Sequence, residues 1–238
     1  MPEAKLKTGV SGLDIVLSGG FPARSTILLH APPGTGKSRF CKQFIREGLK
    51  EGQPCIYITT CEPVKQLIEA VSVPGVGIDN VSFIDGYSWR IPEEAAKPAP
   101  NIFALGSLTE LNELTRLIKK EIDKRQIAAK GGRIVIDSLS DMLLYAEPSS
   151  VFKFLQLFEG MVKGANSVAL VVLEQGLHEP QQVSTINYIC NGTIYFKLEG
   201  MRRSLYVARM FNTLHPMRWI PLSLDDAGIE VTVEEFFK

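Results

Sequence analysis

The run Ala31-Pro-Pro-Gly-Thr-Gly-Lys37-Ser38 brings together the side chains needed to hold a row of phosphates. Gly34 and Gly36 let the backbone curl until its amides converge on phosphate oxygens. The run follows an apolar stretch with strand character, Ser25–His30, and opens an amphipathic stretch with helical spacing, Gly36–Lys50. A helix starting there adds free N-terminal amides and the positive end of its dipole. Lys37 supplies a point charge for β- and γ-phosphates, and Ser38 a hydroxyl for Mg²⁺, which prefers oxygen ligands. The expected nucleotide-binding set is Pro33, Gly34, Thr35, Gly36, Lys37, Ser38 and Arg39. A simple Gly-Pro turn ahead of a helix would account for the glycines, but not for strand, loop, Lys-Ser and helix in this order.

A phosphate–Mg²⁺ site needs an acid on a second strand. Asp137 closes the apolar run Arg133-Ile-Val-Ile. A carboxylate at the end of a buried strand is costly unless it meets a cation or donors. Asp137 is therefore expected to reach Mg²⁺ through a water, with Ser38 as the direct ligand; a plain strand-end cap is the alternative. Asp137 is followed by Ser138, so a carboxylate that activates water must come from elsewhere. Glu62, just past the strand-like run Cys55–Thr60, is the candidate.

The elements needed to position these groups alternate. Strand-like runs are Ser25–His30, Cys55–Thr60, Val81–Asp85, Arg133–Ser138 and Ser167–Glu174. Helical periods are Gly36–Lys50, a stretch opened by Pro63, one after Ser107-Leu-Thr-Glu110, and Pro148–Lys163. Ser107 and Glu110 read as a capping box, and Ser88–Gly106, with its three prolines, as an exposed loop. The basic stretch from Lys119 to Arg133 reads as a solvated face. Beyond Glu174 the pattern changes: Thr193–Glu199 and Ser204–Met210 flank Gly200-Met-Arg-Arg203 as a hairpin, and a last strand pair flanks Asp225-Asp-Ala-Gly228. Alternating βα units followed by antiparallel strands predict an α/β fold, a mostly parallel sheet flanked by helices with C-terminal antiparallel strands. No internal repeat is present, so residues 1–238 are expected to form one domain.

Lys and Arg together number 26, as do Asp and Glu, so no global field draws the chain to nucleic acid or to an anionic membrane. No run of about eighteen apolar residues occurs, and membrane insertion is not expected. The N-terminus lacks the apolar core of a secretory signal. The four cysteines, Cys41, Cys55, Cys61 and Cys190, form no C-x-x-C pair. Reduced thiols in a cytoplasmic protein are the expectation.

Longer stretches carry a family resemblance. Thr8-Gly-Val-Ser-Gly-Leu-Asp14 and Leu17-Ser-Gly-Gly-Phe-Pro22, ahead of the phosphate loop, resemble the opening of KaiC-type ATPases, shared in looser form with RadA and DnaB. Tyr57-Ile-Thr-Thr-Cys-Glu62-Pro, Ile136-Asp-Ser138, Val207–His215 with Trp219, and Gly228-Ile-Glu-Val231 resemble later family motifs. The resemblance covers nearly the whole chain. It implies a RecA-like P-loop core, ATP or ADP and Mg²⁺ as ligands, and a homo-oligomer, with a hexamer favoured and nucleotide between protomers. It implies a γ-phosphate sensor at Gln175 and a hairpin cation, Arg209, directed at a neighbour's γ-phosphate.

Departures from the family pattern bear on turnover. Cys61 stands where the resemblance implies the catalytic glutamate, with Glu62 in the second of two acidic places. Arg209 replaces a family lysine, and Phe211 an arginine. A thiol is not the same general base, and a lost arginine removes charge stabilisation in the transition state. Asn187-Tyr188 fall where the clock protein is phosphorylated, which argues against that chemistry. From Ile134 through Phe152 and from Gly164 through Phe196 there is no Lys or Arg, as DNA-gripping loops would require. The expected function is a Mg·ATP-binding protein with slow hydrolysis, acting as a nucleotide-dependent switch or scaffold toward a protein partner that the sequence does not name. The alternatives are a RadA-paralogue-type accessory in DNA recombination or repair, and an ATP-binding module without turnover.

Overall fold

Residues 4–91, 93, 95–226 and 228–233 are described in a computed structural model. Pro92 and Glu94 of the expected loop, and Ala227 of the last expected turn, lie outside these residues. The elements run β1 (Lys5–Leu6), α1 (Ser11–Val16), β2 (Phe21–Pro22), β3 (Ser25–Ala31), α2 (Lys37–Lys50), β4 (Cys55–Thr59), α3 (Val64–Val71) and β5 (Val81–Asp85). They continue with β6 (Ile102–Ala104), α4 (Leu111–Lys124), α5 (Ile127–Lys130), β7 (Arg133–Asp137), α6 (Leu139–Tyr145), α7 (Pro148–Gly164) and β8 (Val168–Glu174). The last are α8 (Pro180–Ile189), β9 (Gly192–Glu199), β10 (Arg202–Met210), β11 (Ile220–Leu224) and β12 (Ile229–Val231).

A ten-stranded sheet in the order β12-β11-β10-β9-β3-β8-β7-β4-β5-β6 forms the body of the molecule. From β9 to β6 every pairing is parallel, and from β9 to β12 every pairing is antiparallel. The expected α/β architecture is what the chain adopts. The central strands read as continuous apolar runs because both faces are covered. On β3, Ile27 and Leu29 join the core beneath α1, α2 and α3, while Leu28 points to the opposite core beneath α4, α6 and α7. Phe40, Phe44, Ile45 and Leu49 of α2 are all buried in the first core, each worth about 1.5–3 kcal/mol as a burial term. The parallel strands bring the C-terminal ends of β3, β4, β7 and β8 to one edge, where ligands bind in folds of this kind.

Four details differ from the sequence expectation. The stretch read as a loop, Ser88–Gly106, contains β6, which pairs with β5 through Phe83 and Ile102. Ser107 and Glu110 do not form a capping box, because Glu110 is itself the residue before α4 and its carboxylate accepts from the Gly106 amide at 3.2 Å. The helices α1, α6 and α8 and the two-residue strands β1 and β2 lie outside the elements expected from the sequence. The basic stretch is not wholly solvated: Arg133 is fully buried on β7, where its guanidinium meets Glu51, Gln53 and the carbonyls of Lys7 and Phe44. Gly48 of α2 makes room for it, since an added Cβ would lie 2.5 Å from Arg133 Cδ.

Candidate functional site

The phosphate-binding run leaves β3 at Ala31 and enters α2 at Lys37. Gly34 and Gly36 take φ values of +77° and +104°, a region that side-chain-bearing residues resist. A Cβ on Gly34 would meet nothing within 4 Å, so conformation and not crowding requires glycine there. Thr35 is buried and its hydroxyl donates to the Pro32 carbonyl at 2.9 Å, closing the curl from inside. The Lys37 ammonium folds back over the loop. It donates to the carbonyls of Ala31 at 3.1 Å and Pro32 at 2.8 Å, and pairs with Glu174 at 2.9 Å.

A cavity of about 440 Å³ opens over this loop. Pro33, Gly34, Gly36, Lys37, Ser38 and Arg39 line one side. Cys61 at the end of β4, Asp137 and Ser138 at the end of β7, Ser140 and Asp141 on α6, and Glu174 at the end of β8 line the other. Asp137 is 2 % exposed, and burial raises its pKa, while hydrogen bonds from Ser38 and Tyr57 pull it down. The Tyr57 hydroxyl donates to Oδ2 at 3.0 Å. Ser38 and Asp137 thus line the same cavity, though they lie 99 positions apart in the chain.

The donor set fits a Mg²⁺ ion that arrives with phosphates. One hydroxyl and one carboxylate share a small space, which leaves most of an octahedral shell to phosphate oxygens and water. Among the described residues no group of three or more His, Cys, Asp or Glu is placed to cage a metal by itself.

The remaining sequence candidates fall outside the cavity lining. Glu62 is held by Lys42, with both carboxylate oxygens 2.8 Å from Nζ. Gln175 is exposed just past β8, and its backbone N–H donates to the Ala31 carbonyl at 2.9 Å. Arg209 sits near the end of β10, where its guanidinium donates to the carbonyls of Asn187 and Cys190 at the C-terminal end of α8. Those carbonyls lack partners within the helix, so Arg209 caps α8 within its own chain. Phe211 is exposed beyond it.

Sequence reasoning passed over two groups that the fold brings to the cavity. Asp141 lies within Ile134–Phe152, the stretch without Lys or Arg, and no motif in the sequence marks it as a site residue. Ser140 was not singled out, yet its hydroxyl accepts from the Glu174 amide at 2.8 Å and lies 2.8 Å from His178 Nε2. The available signal was the Asp137-Ser-Leu-Ser-Asp141 spacing: Ser138 caps α6 by accepting from the Ser140 amide at 3.0 Å, which turns residues 140 and 141 toward the strand ends.

The family model described as the KaiC ATPase matches residues 6–235. A UPF0273 protein of Thermotoga maritima is 30% identical over 245 residues, covering 97% of both chains. One of Methanopyrus kandleri is 28% identical over 248 residues, covering 100% of this chain and 95% of its own. The fold is also that of a KaiC-like protein from Pyrococcus horikoshii OT3, with a TM-score of 0.73 and 23% identity over 98% of this chain and all of that one. No helix among the described residues is long and apolar enough to cross a membrane.

Proposed function

The chain belongs to the KaiC ATPase family, and on that premise we propose that it binds Mg·ATP in the cavity over Ala31–Ser38, hydrolyses it slowly, and acts as a nucleotide-dependent switch or scaffold in a homo-oligomer. The observation that carries the reading is the meeting at one cavity of the adjacent Lys37 and Ser38 with Asp137, from two distant places in the chain. The curled backbone and the α2 N-terminus hold the phosphates, and Lys37 moves from Glu174 to the β- and γ-oxygens. Ser38 and Asp137 would hold Mg²⁺, which when bound neutralises charge on the phosphates.

Slow hydrolysis is supported by two features. The residue facing the cavity at the end of β4 is a thiol, Cys61, not a carboxylate. The hairpin cation, Arg209, is engaged by α8 carbonyls of its own chain. Exposed Phe211, Leu214 and Met217, just past β10, favour contact with another protein surface. The test is steady-state phosphate release combined with light scattering, with no nucleotide, ADP or ATP. Turnover of well under about 1 s⁻¹, slow beside ordinary enzymes, with a larger particle in ATP, is expected. Monomer at high protein and ATP, or rapid turnover, contradicts the reading.

A further inference from the structure

Glu62, Glu174 and Asp141 stand beside Asp137 at or past the ends of β4, β8 and β7, and without nucleotide the first two are held by ammonium groups. Glu174 pairs with Lys37, and Glu62 with Lys42. The third, Asp141, lies in the first turn of α6 and lines the same cavity as Lys37, Ser38 and Asp137. Its Oδ2 pairs with the Arg90 guanidinium at 3.7 Å, a looser contact than the two ammonium pairs. The Thr60 hydroxyl donates to Oδ2 at 2.6 Å, and the Cys61 thiol lies 3.5 Å from the same oxygen. Oδ1 has no hydrogen-bond partner among the described residues. Thr60 is itself fixed, since its amide donates to the Asp137 carbonyl and its hydroxyl accepts from the Ser138 amide, each at 2.8 Å.

We propose that Asp141 is the general base for ATP hydrolysis, replacing through space the carboxylate that Cys61 cannot supply; this rests on the turnover reading above. Oδ1 orients the attacking water and takes its proton. The water oxygen forms a bond to the γ-phosphorus while the bond from that phosphorus to the β,γ-bridging oxygen breaks. The electron pair leaves on the β-phosphate of ADP, and Asp141 then releases its proton to solvent. Thr60 and Cys61 hold the carboxylate in place as donors to the other oxygen. The thiol suits this role, because burial, then the charges of Asp137 and Asp141, push its pKa up and keep it protonated. A base that accepts two hydrogen bonds is a weak one, which fits slow turnover.

The experiment is single-turnover hydrolysis at saturating Mg·ATP by wild type, Asp141→Asn, Asp141→Glu and Glu174→Gln, with ATP affinity by calorimetry and melting temperature for each. Asp141→Asn keeps the shape and the Thr60 contact. It is expected to lower the single-turnover rate about 100-fold or more, with ATP affinity within about threefold and an unchanged melting temperature. Asp141→Glu, which keeps a carboxylate, is expected to retain part of the rate. Asp141→Ala, with formate added, covers the case in which Asp141→Asn fails to fold: recovery with formate supports a base at this place, and its absence counts against one. Turnover by Asp141→Asn within about threefold of wild type, or a larger loss in Glu174→Gln, overturns Asp141 as base while leaving the ATPase reading intact. Wild type that binds ATP without any turnover overturns both.

Discussion

Lys37 and Glu174 form an ion pair across the mouth of the phosphate loop, Nζ to Oε2 at 2.9 Å, with the lysine side chain only 6 % exposed. The contact joins the start of α2 to the end of β8, two elements separated by more than half the chain. It holds the lysine folded over its own loop, in the place a γ-phosphate would share.

On the proposed reading, nucleotide binding breaks a partly buried pair and brings polyphosphate close to a carboxylate. Glu174→Gln removes both penalties, since the amide neither pairs as strongly with Lys37 nor repels the phosphates. ATP affinity is expected to rise about threefold to tenfold by calorimetry. An unchanged or weaker affinity would mean that Glu174 assists the bound nucleotide instead of competing with it.

Cys61 is the exposed one of the four cysteines; Cys41, Cys55 and Cys190 are buried. Although the residue as a whole is exposed, desolvation of its thiol is the largest cause that raises its pKa, followed by the charges of Asp137 and Asp141. The thiolate is the reacting form. Alkylation by iodoacetamide at pH 8 is thus expected at least about tenfold slower than for free cysteine. Asp141→Asn removes one raising charge and is expected to speed the reaction. Rapid alkylation of wild type would show that the thiol is not buffered by its carboxylate neighbours.

His30, the last but one residue of β3, has both ring nitrogens buried without a hydrogen-bond partner, and its ring lies 5.5 Å from that of Tyr195. Burial, and then the charges of His178 and Lys37, hold its pKa below the ordinary value of 6.5. The unfolded chain therefore binds this proton before the folded one does, so stability falls as pH drops below about 6.5. His30→Phe removes that contribution. Urea unfolding at pH 7 and pH 5 is expected to show a smaller acid loss in the variant than in wild type, and an equal loss would assign the acid sensitivity to other groups.

The parts legible in the sequence are those in which local pattern and tertiary demand agree. β3, α2, β4 and β7 were readable because strands covered on both faces are apolar throughout and α2 carries a single apolar stripe. The same loop chemistry that marks Gly34, Gly36, Lys37 and Ser38 in sequence forms one wall of the cavity. α8 was hidden because only Ile186 of it is buried, leaving little helical period to read. Its one local sign was the Glu179–Gln182 capping box, with Pro180 at its start. β6 is three residues long and lies at the sheet edge, so propensity says little about it. The opposite wall was least legible: Asp141 and Glu174 reach the cavity only because β7 and β8 end side by side, a relation that pairing in space sets and spacing along the chain does not show.

The central claim is that the cavity over Ala31–Ser38 binds a nucleoside triphosphate through its phosphates. Isothermal calorimetry of Mg·ATP into wild type and Lys37→Ala tests it most directly. The account predicts one site per chain in wild type and at least about a 100-fold loss of affinity in the variant, with the melting temperature without nucleotide nearly unchanged. Full affinity in Lys37→Ala would contradict the assignment of this cavity as the nucleotide site.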